Sequence, residues 1–97
     1  MDKKDINKYI VCTKNVLGGR PHINGTRISV RAITYWYKKG YSPEEIVEQF
    51  EQLALFQIYA ALTYYHANIK EIEDDIMEEE NEYDRLFNEY NQYCMSA

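Results

Sequence analysis

Apolar residues in the second half of the chain recur at alternating spacings of three and four. Leu55, Ile58, Leu62, Tyr65, Ile69, Ile72, Ile76, Tyr83, Leu86, Tyr90 and Tyr93 form one seam, with Glu79 its single polar breach. That period is the a/d heptad pattern of an amphipathic helix. Neither proline nor glycine occurs after Leu55, so the pattern predicts one helix from Leu55 to the end, on the order of 60 Å long. Two shorter helices are predicted before it. Ser29 caps a helix over residues 30–39, in which Val30, Ile33, Trp36 and Tyr37 keep helical spacing and Gly40 marks the stop. Ser42-Pro43-Glu44-Glu45 supplies an N-cap, a proline at the first helical position and a capping-box glutamate. This second helix is predicted from Pro43 to Phe50, with a break over residues 51–54.

The first thirty residues alternate differently. Tyr9 to Thr13 reads as a strand, and Pro21 to Ile23 and Thr26 to Ile28 read as a short hairpin about Asn24-Gly25, the preferred pair for a type I′ turn. Pro21 lacks a backbone donor and is confined to an edge or entry position. Gly18-Gly19 suits a turn that needs positive φ.

Charge divides the chain sharply. Through residue 70 there are ten Lys and Arg against six Asp and Glu, a net +4, and from Glu71 onward one Arg against ten acids, a net −9; together these give the overall −5. The acidic end reads either as a solvated helix or as a segment that docks on a basic partner. At 97 residues the chain is one domain with a modest core, for which self-association adds buried surface. No apolar segment reaches membrane-spanning length and the first eight residues lack a secretory apolar stretch, so a cytoplasmic protein with no membrane contact is expected. Cys12 and Cys94 show neither disulfide nor zinc spacing.

From Leu53 to Ile69 the chain carries no Asp, Glu, Lys or Arg. A solvent-facing helix is seldom so uncharged. Its off-seam residues Phe56, Tyr59, Ala60, Thr63 and Tyr64 are accordingly assigned to a homodimer interface, with coverage by the N-terminal strands as the alternative. The later part of the seam has two readings: packing on the domain's own core with a frayed tail beyond, or an interface throughout.

Three stretches carry a family resemblance. Leu-Gly-Gly-Arg-Pro-His-Ile-Asn-Gly-Thr-Arg-Ile-Ser-Val (17–30), Gly-Tyr-Ser-Pro-Glu-Glu-Ile (40–46) and Ile-Tyr-Ala-Ala-Leu-Thr-Tyr-Tyr (58–65) occur in an order that resembles the bacterial and cyanobacterial domain-of-unknown-function family 433. The resemblance spans about Ile10 to Ile72. It implies a mainly α fold: a small N-terminal β-hairpin platform and a three-helix, winged helix-turn-helix-like domain, followed here by a long C-terminal helix. It also implies the antitoxin half of a toxin–antitoxin pair, in which a dimer binds operator DNA and a C-terminal extension covers a PIN-like nuclease toxin. Residues 1–70 would be the domain and 71–97 the extension. Family members often place Thr or Ser before the third helix; Ala54 stands there in this chain, which leaves that helix start without a side-chain cap and open to a shift.

On this scheme the partner-binding anchors are Ile72, Ile76, Tyr83, Leu86, Phe87, Tyr90 and Tyr93, with the surrounding acids steering toward a basic surface. The DNA-binding candidates are Arg20, Arg27, Arg31, Gln57 and Tyr59. A helix-turn-helix reads bases from the N-terminal part of its second helix, where Gln57 can pair with an adenine edge. That helix has no Lys or Arg before Lys70, however, and phosphate neutralisation normally dominates affinity. A motif arginine also serves as readily inside a fold, against a carboxylate. No enzyme is expected: His22 and His66 have no companion nucleophile or base motif. The acidic run lacks the spacing and glycine turn of an EF-hand, so no metal or cofactor is expected. The other reading of the chain is a homo-oligomeric interaction module with neither DNA nor toxin.

Overall fold

The computed structural model describes residues 6–95, and their side chains except those of Asn7 and residues 90–95. In chain order the elements are α1 (Ile6–Tyr9), β1 (Ile10–Cys12), a 3-10 turn (Leu17–Gly19), β2 (Pro21–Ile23), α2 (Val30–Lys38), α3 (Pro43–Val47), α4 (Leu55–Ala67) and α5 (Ile69–Met95). The fold is mainly helical with one two-stranded antiparallel sheet near the N-terminus.

The sheet is not the hairpin the turn residues predict. Pro21–Ile23 pairs with Ile10–Cys12, Ile10 opposite Ile23 and Cys12 opposite Pro21. The returning segment makes only an isolated His22–Ser29 bridge, with the Ile23 N–H donating to the Ile28 carbonyl at 2.9 Å. The turn between them has positive φ at Gly25 alone, and the Thr26 N–H closes it on the Ile23 carbonyl at 3.0 Å. That is type II geometry rather than type I′. Asn24 is otherwise engaged: its backbone N–H donates to the Tyr9 carbonyl and its side-chain amide to the Lys8 carbonyl, tying the turn to the end of α1.

The helix starts follow the capping residues. Ser29 Oγ accepts from the Ala32 N–H at 3.0 Å. Ser42 and Glu45 exchange both bonds of a capping box, after which α3 runs for five residues and ends at Val47, short of the predicted Phe50. Before α4 the missing side chain of Ala54 is compensated from inside the helix. Gln57 Oε1 accepts the Ala54 N–H at 2.7 Å, so α4 begins at Leu55 without a shift.

The uninterrupted long helix is broken at Asn68. Its backbone leaves the helical region (φ −140°, ψ 48°), its side-chain amide donates to the Tyr64 carbonyl at 3.0 Å, and its own carbonyl accepts the Ile72 N–H that starts α5. Asparagine competes for backbone partners in this way without any proline or glycine. The interruption changes the phase of the seam. Ile58, Leu62, Tyr65, Ile72 and Ile76 are buried, whereas Leu55 and Ile69 are exposed.

The core comprises Ile10, Ile23, Val30, Ile33, Ile46, Leu53, Ile58, Ala61, Leu62, Tyr65, Ile72 and Ile76 with their neighbours. At its centre α4 touches α1, both strands, α2, α3 and α5, which buries Ile58, Ala60, Ala61, Leu62 and Tyr65, while Leu55, Phe56, Tyr59, Thr63 and His66 form an uncharged face left in solvent. Ile72 and Ile76 bring the first two turns of α5 into that core, each worth about 1.5–3 kcal/mol of burial. The division predicted after residue 70 therefore moves. The domain extends through the first turns of α5, and from Met77 on every described residue of that helix is exposed.

Candidate interaction surface

Arg20 follows a left-handed turn. Leu17, Gly18 and Gly19 have φ of 51°, 66° and 81° in succession, a run that glycine makes affordable at two of its three positions. The turn aims the Arg20 side chain at α5, where Nε donates to Asp75 Oδ1 at 2.6 Å, while Nη1 donates to the Leu17 carbonyl at 3.3 Å. From the first turn of α2, Arg31 Nη1 reaches the same Asp75 oxygen at 3.2 Å and Arg31 Nε reaches Glu79 Oε2 at 3.0 Å. At the far end of α2, Lys38 Nζ lies 3.0 Å from Glu73 Oε2. The Tyr65 hydroxyl donates to that Glu73 oxygen at 2.6 Å. This bond, with burial, pushes the Tyr65 phenol up to about 12, and it holds the Glu73 carboxyl below its ordinary value together with Lys38.

The clamp accounts for much of the charge partition. Basic groups of the domain are matched by Glu73, Asp75 and Glu79 of α5, so part of the charge complementarity is satisfied within one chain. It also places the DNA-binding candidates: Arg20 and Arg31 are paired with carboxylates of α5. Gln57 is held by its capping bond, and the Tyr59 hydroxyl points to Glu44 Oε1 at 3.4 Å. Arg27 is the exposed arginine of the set, on the rim of a cleft with Thr26 and Gln52.

Of the expected dimer face, Ala60 and Tyr64 are taken up by the domain, and Phe56, Tyr59 and Thr63 are exposed. Ala60 is buried in the core, and Tyr64 is half-buried with its hydroxyl donating to Glu71 at 3.0 Å. Thr63 Oγ1 donates to its own helix at the Tyr59 carbonyl, and Phe56 sets its ring edge-on to Tyr9 at 5.3 Å. Phe56 and Tyr59 still keep nearly half of their surface in solvent. Among the predicted partner anchors, Ile72 and Ile76 are core residues, since α5 packs on α2 at that point. The side chains of Tyr90 and Tyr93 lie outside the described residues.

Beyond the clamp, α5 offers an apolar surface. Tyr83 is 67% exposed, Leu86 51% and Phe87 52%, and the rings of Tyr83 and Phe87 stack at 6.2 Å. Arg85 pairs with Glu82 and Glu89 along the helix surface. Between α2 and α5 runs an open groove of about 670 Å³, with Tyr35, Trp36, Ile76 and Tyr83 as apolar walls and Glu79, Glu80 and Asp84 along one side. The sequence pattern assigned Trp36 to the core and left Tyr35 out. Its legible signal was the position of Tyr35 one turn after Arg31, on the α2 face that meets the acids of α5.

The two histidines sit in unlike surroundings. His22 Nδ1 lies 2.9 and 3.1 Å from the Thr26 and Ile23 carbonyls, which only accept, so Nδ1 carries the proton and Nε2 accepts from the Thr13 hydroxyl at 3.0 Å. His66 is exposed, with its ring against Tyr37 and Tyr65. Burial and Glu71 push the Cys12 thiol up, away from the thiolate that a nucleophile requires. Among the described residues no group of acids, histidines and cysteines could hold a metal ion, and no helix is long and apolar enough to cross a membrane.

Comparison with known families adds one decisive finding. Residues 10–65, more than half of the chain, match the family described as "Protein of unknown function (DUF433)". The chain belongs to the DUF433 family. A crystal structure of a DUF433 member from Anabaena variabilis ATCC 29413 has a similar fold, with a TM-score of 0.66 at 23% identity over 79% of this chain and 86% of that one. No curated protein matches. The DUF433 match ends at Tyr65, so Asn68 and all of α5 lie beyond it.

Proposed function

We propose that the chain is a non-enzymatic regulator of the antitoxin type, whose projecting α5 binds a partner protein, a PIN-like ribonuclease toxin. One observation carries this reading: α5 leaves the core after Ile76 and continues to Met95 with Tyr83, Leu86 and Phe87 exposed on an acidic helix. Clustered exposed aromatic and aliphatic residues on one element are the usual mark of a binding surface. The acids around them favour encounter with a basic partner. A homo-oligomer built on this helix is less favoured, because beyond Ile76 it would bring together two segments that each carry six acids against one arginine.

The test is co-purification of the tagged chain with the product of the adjacent open reading frame. Leu86→Glu/Phe87→Glu should abolish capture and neutralisation while the folded domain persists. Undiminished capture by that variant would remove the reading.

Repression of its own operon belongs to the same proposal and has less support, since only Arg27 of the expected arginines is uncommitted. A gel-shift series with the upstream intergenic DNA tests it, because a phosphate-dominated complex must weaken steeply with salt. Absence of a shift, or a shift indifferent to salt, ends the claim.

A further inference from the structure

We infer that the groove between α2 and α5 receives a basic segment of the partner, with an arginine or lysine side chain laid between Tyr35, Trp36 and Tyr83 and its charge met by Glu80 and Asp84. The inference rests on the reading that α5 binds a protein, and it assigns the contact to a defined place with a defined chemistry.

Three observations carry it. The first is shape and lining. A groove of about 670 Å³ lies within the range of ligand sites and has three aromatic rings along its length, with Ile76 among its apolar lining. Rings of this kind attract guanidinium and ammonium groups through their negative faces. The chain already makes one such contact at the groove's neighbour: Lys39 Nζ sits 4.4 Å from the centroid of the Tyr35 ring.

The second is unmatched charge. Glu73, Asp75 and Glu79 are paired with Lys38, Arg20 and Arg31, whereas Glu80 and Asp84 make no ion pair or hydrogen bond among the described residues. Arg31 is the one cation lining the groove, and it is held by Asp75 and Glu79. Lys39, over the Tyr35 ring, offsets part of the Glu80 charge, and the groove lining still sets Glu79, Glu80 and Asp84 against Arg31 alone, a negative balance facing its aromatic walls. The third is complementarity. The part of α5 beyond Ile76 carries six acids against the single Arg85, which repels a second copy of itself and attracts a basic chain.

Trp36 is the single tryptophan of the sequence and lines the groove, so its emission reports occupancy directly. The full chain is titrated with an amphipathic helical peptide of Arg and Leu, and with the same peptide carrying Gln in place of Arg. The Arg peptide should change Trp36 emission saturably and the Gln peptide should not. Glu80→Gln/Asp84→Asn should weaken the Arg peptide about fivefold. Glu82→Gln/Glu89→Gln, which removes the same charge outside the groove, should leave it within about twofold. An equal response to both peptides, no response to either, or equal weakening by the two double variants overturns the assignment.

The failure of this inference is separable from failure of the antitoxin reading. If Glu80→Gln/Asp84→Asn still captures the neighbouring protein at full affinity, the partner uses α5 without the groove. If the peptide results hold while the neighbouring protein is never captured, the groove stands and the partner's identity falls.

Discussion

Arg20 and Asp75, 55 positions apart in the sequence, meet at 2.6 Å and join the left-handed N-terminal turn to the final helix. Asp75 also accepts from Arg31, so one largely buried carboxylate holds two arginines from different elements. Removing one partner of a part-buried ion pair strands the other. Asp75→Asn should therefore cost about 1–2 kcal/mol in urea denaturation, between the exposed and fully buried limits. Arg20→Ala should cost less than about 1 kcal/mol, because Arg20 is the more exposed partner. A larger effect at Arg20 than at Asp75 would contradict the shared-carboxylate account.

The turn that positions Arg20 makes a second prediction. A Cβ on Gly18 would lie 2.9 Å from Arg20 Nη1, whereas one on Gly19 would meet nothing within 4 Å. Both positions have positive φ, so alanine at either carries a backbone cost of roughly 1 kcal/mol. Gly18→Ala should be the more destabilising of the two, since it also displaces a guanidinium held between Leu17 and Asp75. Equal melting temperatures for the two variants would count against it.

Gln57 discriminates between a structural and a DNA-reading role. As the residue that caps the Ala54 N–H, its replacement by alanine should cost about 0.5–1 kcal/mol. Ala54→Ser should recover a similar amount by capping from the usual position. Thermal denaturation of the single and double variants checks the pair. If Gln57→Ala is neutral in stability but changes operator affinity, the capping role is wrong.

Tyrosine ionisation gives a pH signature. The Tyr64 phenol is pushed up to about 12 by burial and by its bond to Glu71, and the Tyr65 phenol to about 12 by its bond to Glu73 and by burial. Both lie above the ordinary value of 10.0. The folded state therefore holds these protons more tightly than the unfolded state. Their contribution to stability is complete below pH 10 and is lost as pH rises toward 12. Absorbance titration should show two phenols ionising late, and Tyr65→Phe should reduce the loss of stability in that window. Complete tyrosine ionisation near pH 10 with the fold intact would refute the assignment.

Local patterning determined the starts of α2, α3 and α4 and the mainly α class. Ser29, Ser42 with Glu45, and Pro43 act on backbone groups within a few residues, so their effects are written in adjacent positions. The motifs around residues 18–30, 40–46 and 58–65 likewise identified the DUF433 family directly. What tertiary structure alone decided depends on contacts between distant segments. Pro21–Ile23 pairs with β1 because Asn24 ties its turn to α1. The break at Asn68 is local, made by bonds to Tyr64 and Ile72, yet no proline or glycine marks it in the sequence. The domain buries one side of the uncharged α4 and leaves Phe56 and Tyr59 on the other, and Arg20 and Arg31 face carboxylates because α5 folds back on α2. Heptad spacing describes which residues share a helix face, but only packing determines what that face meets. Here it buries Ile72 and Ile76 against the domain and leaves Tyr83, Leu86 and Phe87 in solvent.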